Sequence, residues 1–389
     1  MHRTAVVIIS TFALLSAACG GERTTPRLEV RRAALLGDAD SVNGVQGPKL
    51  SGLPSNTEVW EVTRGWSDVT AEAGLAWGAN SGLDYNQKYA AWIEGFTPTV
   101  SVDGHTTFEL VTPWGKTLPA PRLECAETAI FLRVTFAAWH GLPMFMTAYS
   151  PSHGANIYFG HFGVVHSSGA RVSGFPKFES WYEDYTDSHG DWPTQTLLGD
   201  WPSSESLAGK TLSTTKDDAV DFLGAEAYAG AYFDAVFLNK RVGEFLMRAL
   251  TNLGSMHIVD ATHNSFNLEP VAMRPGDLMM QRWQEQGIGH TVVVLRVEQP
   301  GPNARAIEVA YGSMPRIQPK WKSGAAAENY FVADKSGGPG LNSEGKAYAA
   351  LGGGLKRWRT PVVQSGRWRN VVHDDDEEGV SDTGSLRPQ

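Results

Sequence analysis

Cysteine is almost missing from this chain. Cys19 and Cys125 are the only two among 389 residues. Cys19 closes an N-terminal leader: Met-His-Arg-Thr, then the uncharged stretch Ala5–Ala18, then small residues. That pattern is a secretion signal, and an exported chain left with one thiol cannot spend it on an intrachain disulfide. Long apolar runs are also missing. The leader's own stretch falls short of the about 20 residues that a membrane-crossing helix needs, and no later stretch is both long and apolar enough. Clustered basic residues are missing too. The net charge is −9, from 33 Lys and Arg against 42 Asp and Glu, which argues against nucleic acid as a partner. No His-Glu-x-x-His occurs and no internal repeat is visible, so the commonest helical zinc-hydrolase signature is excluded.

What is present is loop-forming and aromatic. Forty-two glycines and 13 tryptophans suggest long ordered loops and aromatic-lined surfaces. Residues 20–55 are polar and weakly periodic, as expected of a tether. A folded body is expected over 56–323, with a polar excursion at about 150–215. A Gly-rich extension follows over 324–389, with the acidic run Asp374–Glu378 as a solvated tail. The periodicity predicts a strand at Thr106–Thr112, a helix at Leu123–His140 closed by Gly141 and Pro143, and a strand at Met144–Tyr149. A second helical region, broken near its start, is expected over Asp217–Leu253. Arg274-Pro275-Gly276-Asp277 should turn into a strand at Leu278–Gln281. Strands from His290 and over Ala306–Tyr311 should form a hairpin about residue 302.

Cys125 sits where the helix begins, after Pro119-Ala120-Pro121. Helix N-termini expose N–H groups and the positive end of the macrodipole, both of which favour a thiolate. The alternative reading is a small buried hydrophobe. A nucleophilic thiol needs a base, and His290, after Gly289 at the opening of a strand, is the best candidate. The hairpin register puts His290 opposite about Ser313 or Met314, and Glu308 opposite Arg296. Glu308 and Ser313 are both candidates for the group that orients the histidine. The backbone N–H of Cys125 is a natural oxyanion donor.

Leu15-Ser16-Ala17-Ala18-Cys19 resembles the cleavage box of bacterial lipoproteins, with Ser16 where an aliphatic residue is usual. The resemblance implies a lipid on Cys19 and a place in the bacterial cell envelope, anchored to a membrane and facing the periplasm or the exterior. Cys125 on its helix, Arg274-Pro275-Gly276-Asp277-Leu278 and Gly289-His290 with its apolar strand together resemble the NlpC-type cell-wall peptidases of the papain-like superfamily. The Cys-Ala-Glu helix ending in Gly141-Leu142-Pro143 is also similar to the transglutaminase-like branch. The likeness covers Pro121–Tyr149 and Val271–Pro315. It implies an α+β fold, with the cysteine helix packed on an antiparallel sheet. The implied activity is amide hydrolysis on peptidoglycan stem peptides or other exported peptides, through an acyl-enzyme and without metal or cofactor. Amine-accepting acyl transfer and a non-catalytic binding lipoprotein are the other readings. The 164 residues between Cys125 and His290 exceed the compact spacing of that family, so a large insertion must lie between helix and sheet.

Two further sets of residues invite other chemistry. His153, His161, His166 and His189, with Asp184, Asp187 and Asp191, contain zinc-ligand types without a zinc-binding spacing. Trp181, Trp192 and Trp201 offer aromatic faces to a glycan, or pins for a long loop. His257 and His263 read as structural or cleft-lining.

Overall fold

The computed structural model describes residues 45–63, 81–178, 229–259, 263–268, 272–282, 289–301, 304–323 and 354–372. Helices and antiparallel sheets share this chain, an α+β arrangement. The strands are β1 (Val45–Lys49), β2 (Pro98–Val100), β3 (Thr106–Val111), β4 (Thr117–Pro119), β5 (Phe145–Ser150), β6 (Ala155–Gly160), β7 (Gly163–Val165), β8 (Ser265–Asn267), β9 (Leu278–Arg282), β10 (Gly289–Gly301), β11 (Ala304–Tyr311), β12 (Lys320–Ser323), β13 (Gly354–Trp358), β14 (Thr360–Gln364) and β15 (Arg367–Val371). The helices are α1 (Tyr85–Glu94), α2 (Cys125–Trp139), α3 (Ala229–Phe237), α4 (Lys240–Asn252) and α5 (Ser255–Val259).

The central sheet has the order β12-β11-β10-β9-β13-β8. The run Val292–Leu295 is apolar without alternation because both faces of its strand are covered. Val293 and Leu295 join the large cluster that includes α2, and Val292 and Val294 join a second cluster with Met279, Val309 and Leu355. Three smaller sheets surround it, β1-β15-β14, β2-β3-β4 and β5-β6-β7.

Helix α2 lies in the middle of the large cluster. Every residue from Ala126 to Ala137 is buried. Its start is held by the Glu124 N–H, which donates to Glu127 Oε2 at 2.8 Å, half of a capping box. Its end is set by Gly141 at φ +59°. There Leu142 N–H bonds the Ala137 carbonyl and Gly141 N–H bonds that of Ala138. This is a Schellman closure that needs a residue tolerant of the left-handed region.

The expected strands and the α2 helix appear within a residue or two of their expected ends. In the second helical region α3 and α4 are separated at Leu238–Asn239, well past the start where a break was expected, and that start lies outside the described residues. Residues 217–228, the tail Asp374–Glu378 and Cys19 lie outside the described residues. Three regions differ from expectation. The end of the supposed tether is ordered, because β1 pairs with β15. The first part of the supposed excursion is core: β6 pairs with β5 and β7 with β6, and Phe159, Val164 and Val165 are buried. The supposed C-terminal extension also enters the body, because β13 lies between β9 and β8 and β15 pairs with β1. Among the described residues no helix is long and apolar enough to cross a membrane.

Candidate active site

Cys125 is the first residue of α2 and is partly exposed. Helix α2 packs on β10, and the thiol meets the opening of that strand. The Sγ–H points to the Gly289 carbonyl at 3.8 Å, a long sulfur hydrogen bond. The backbone N–H groups of Thr291, Ala126 and Cys125 itself face the sulfur and favour its anion. Burial is the larger effect, and the Glu124 carboxylate works in the same direction. The thiol is therefore pushed above its ordinary value. The expectation of a helix-start thiolate fails here because desolvation of the charged form outweighs the dipole and the N–H groups.

The local chain path explains why a thiol reaches this strand. The β10–β11 ladder shifts register between Val294 and Arg296, runs on to Val293–Ala310 and stops. Beyond Tyr311 the chain turns to the lead-in of α2. A Cβ on Gly312 would stand 2.1 Å from the Leu123 carbonyl oxygen, so only glycine permits this approach. Leu123 N–H then donates to the Ile317 carbonyl at 2.9 Å, in a bridge between Leu123 and Ile317. With β11 gone, the Gly289 carbonyl and the Thr291 N–H are left for the sulfur.

His290 lies between those two residues. Strand alternation puts it on the face of Val292 and Val294, and its ring meets Tyr311 edge-on with centroids 5.3 Å apart. Burial lowers its basicity. The structure thus brings Cys125 to the backbone on either side of His290, while the imidazole packs on Tyr311.

The two candidates for the third group fall elsewhere. Glu308 pairs with Arg296 in the expected register, its carboxylate 3.8 Å from the guanidinium, and accepts from the Trp321 indole at 3.0 Å. Arg296 is six residues along β10 from His290, roughly 20 Å at about 3.3 Å per residue. Glu308 is too distant to orient that ring. Ser313 follows β11, and its hydroxyl donates to the Pro315 carbonyl at 3.1 Å.

Sequence reasoning missed the charged residues around the thiol. Arg316 forks onto Glu127, with Nε to Oε2 at 2.8 Å and Nη2 to Oε1 at 2.6 Å. Glu124 is half-buried and its carboxyl is raised, first by burial and then by Glu127, against Arg316. The Glu124-x-x-Glu127 spacing is a visible helix-start signal. Nothing in the sequence ties Arg316 to it. An open depression of about 830 Å³ adjoins this corner, lined by Arg122, Glu124, Arg316, Asp103, His105 and Lys320 among others. Arg122 and Asp103 are paired at 2.9 Å.

The rival histidines are dispersed. His161 is buried among Trp60, Phe162 and Trp368, with Nδ1 against the Met144 backbone, and burial pushes its pKa down to about 4. His153 and His166 meet ring to ring at 5.4 Å, and His153 also bonds Ser150, Ser152 and Ser173. His257 accepts the Gly254 N–H in the first turn of α5. The His263 carbonyl accepts from Asn370. Asp184, Asp187, His189, Asp191, Trp181, Trp192 and Trp201 lie outside the described residues. Among the described residues no three His, Cys, Asp or Glu side chains converge on a metal-sized point.

Compared with protein-family models, curated proteins and solved structures, this chain matches none of them.

Proposed function

We propose that this chain is a thiol-dependent amide hydrolase with a papain-like core, carried on a lipid at Cys19 in the bacterial cell envelope. The supporting observation is the placement of Cys125: first residue of the central helix, with Sγ against the backbone that flanks His290. On this reading the His290 ring turns from Tyr311 to take the thiol proton, Sγ attacks the carbonyl carbon of an amide, and the imidazole returns the proton to the leaving amine. Water then hydrolyses the thioester, regenerating the thiol. The Cys125 N–H stabilises the oxyanion. The substrates are peptidoglycan stem peptides or other exported peptides, and the chemistry needs no metal or cofactor.

The test is mass spectrometry of muropeptide and casein digests with chain lacking residues 1–19. Cleavage at an amide bond is expected, and Cys125→Ala should abolish it while leaving the fold intact. Amine incorporation without hydrolysis would instead identify the transglutaminase-like chemistry. The lipid is tested separately. The mature chain should partition with membranes and Cys19→Ser should release it, whereas a freely soluble wild type would overturn the anchor.

One observation favours a catalytically silent binding protein instead. The thiol is held up by burial and the His290 ring is packed on Tyr311. An absence of turnover in every assay, with Cys125 unreactive to alkylation, would select that reading.

A further inference from the structure

The segment leaving β11 grips the start of α2 at three points. Gly312 lies against the carbonyls of Leu123 and Glu124, Ile317 bridges to Leu123, and Arg316 forks onto Glu127. Glu127 is nearly buried and also takes the Glu124 N–H, so the fork is tied directly to the residue that precedes Cys125. Two carboxylates, Glu124 and Glu127, and one guanidinium therefore meet at the first turn of α2, and the Glu124 carboxylate acts directly on the thiol. The other charged or titratable groups of this corner are His290 on β10 and Asp103, His105, Arg122 and Lys320 around the depression. A carboxylate beside a thiol opposes its ionisation, and a guanidinium promotes it.

We propose that Arg316 is a positioning residue for Cys125: through Glu127 it fixes the first turn of α2 against β10, and its charge offsets the Glu124 and Glu127 carboxylates of that turn. The proposal takes Cys125 as the reactive thiol of the preceding reading. Arg316 touches no reacting atom and acts through Glu127.

The two partners of the fork must then have opposite effects. The experiment follows iodoacetamide capture of Cys125 in the full chain across about pH 6 to 10, read by mass spectrometry. Arg316→Met should raise the midpoint by roughly half to one pH unit, the size of a charge effect in a partly wet site. Glu127→Gln, which keeps a helix-start acceptor, should lower it by a similar amount. The double variant should return close to wild type, and Arg316→Lys, which keeps the charge, should stay near it. A merely structural clamp would loosen the turn and move both single variants in the same direction. That result, or two unmoved midpoints, overturns the proposal. If Arg316→Met does not fold, Glu127→Gln and Arg316→Lys decide: a midpoint that rises or stays put in Glu127→Gln overturns it. The readout needs no turnover. A protein inert to muropeptides but with opposite shifts would sink the hydrolase alone, and normal turnover with unmoved midpoints would sink only this proposal.

Discussion

Two arginine–carboxylate forks hold distant parts of this chain together, and they sit in different surroundings. Arg357 on β13 meets Asp277 at the entrance to β9, with Nε to Oδ1 at 2.7 Å and Nη2 to Oδ2 at 2.8 Å. Both side chains are sealed, 3% and 2% exposed, and Asp277 also accepts the Arg274 N–H. Arg316 and Glu127 make the same fork, but the guanidinium is 32% exposed and the carboxylate 4%. One fork is closed on all sides and acts as a joint of the sheet. The other has water on one side and a thiol nearby. Similar bond lengths therefore serve different purposes, and the neighbours set which one. A sealed charge cannot be left alone, whereas a half-exposed one can be solvated in part.

The sharpest way to break the comparison is Asp277→Ala. It strands Arg357 inside the protein and should cost about 3–5 kcal/mol in urea unfolding, independent of salt. Glu127→Gln, which takes the carboxylate from the half-exposed Arg316, should cost less, about 1–2 kcal/mol, with part of the loss already present in high salt because the exposed guanidinium is screened. Equal losses in the two variants would erase the distinction between joint and corner.

His161 tests the sealed interior from a different side. Its folded pKa lies near 4, below the value of about 6.5 in an unfolded chain. The unfolded chain therefore takes up a proton first as the pH falls. The stability that His161 contributes is whole above about pH 6.5 and is lost progressively down to about pH 4. The loss is at most about 3 kcal/mol. Unfolding measured at stepped pH should show this slope, and His161→Phe should flatten it. A slope that survives in the variant would assign the acid sensitivity to carboxylates instead.

The legible parts of this fold were those with local signals. Helix α2 announced itself through its apolar density and its Gly141 stop. The β10–β11 hairpin was legible down to the Arg296–Glu308 pairing, since apolar strands flanking a Pro-Gly turn leave little freedom of register. The open end of that hairpin was not legible. Its ladder stops because the chain after Tyr311 turns to Leu123, a partner nearly two hundred residues away. The C-terminal strands were missed for a related reason. Lys356, Arg357, Arg359 and Arg369 look like surface residues in sequence, yet all four are buried. Three of them bond to partners remote in the chain: Lys356 to Asn267, Arg357 to Asp277 and Arg359 to the Ser265 carbonyl. The site was half legible. Position along the chain revealed Cys125, and the dipole argument gave the thiolate. Burial, which sequence does not display, reversed that.

The place of β13 between β9 and β8 has a consequence for how the chain is made. The central sheet has a gap until residue 358 has been synthesised, and β1 has no partner until β15 arrives. Until then β9 and β8 each present an unpaired edge, which is a template for pairing with other chains. Contacts between the ends of so long a sequence also form late, because loop closure must precede their reward. A nascent chain therefore carries an unfinished sheet through nearly all of its synthesis. Fragments ending before Gly354 would retain the thiol, the helix and the hairpin, and still be committed to aggregation.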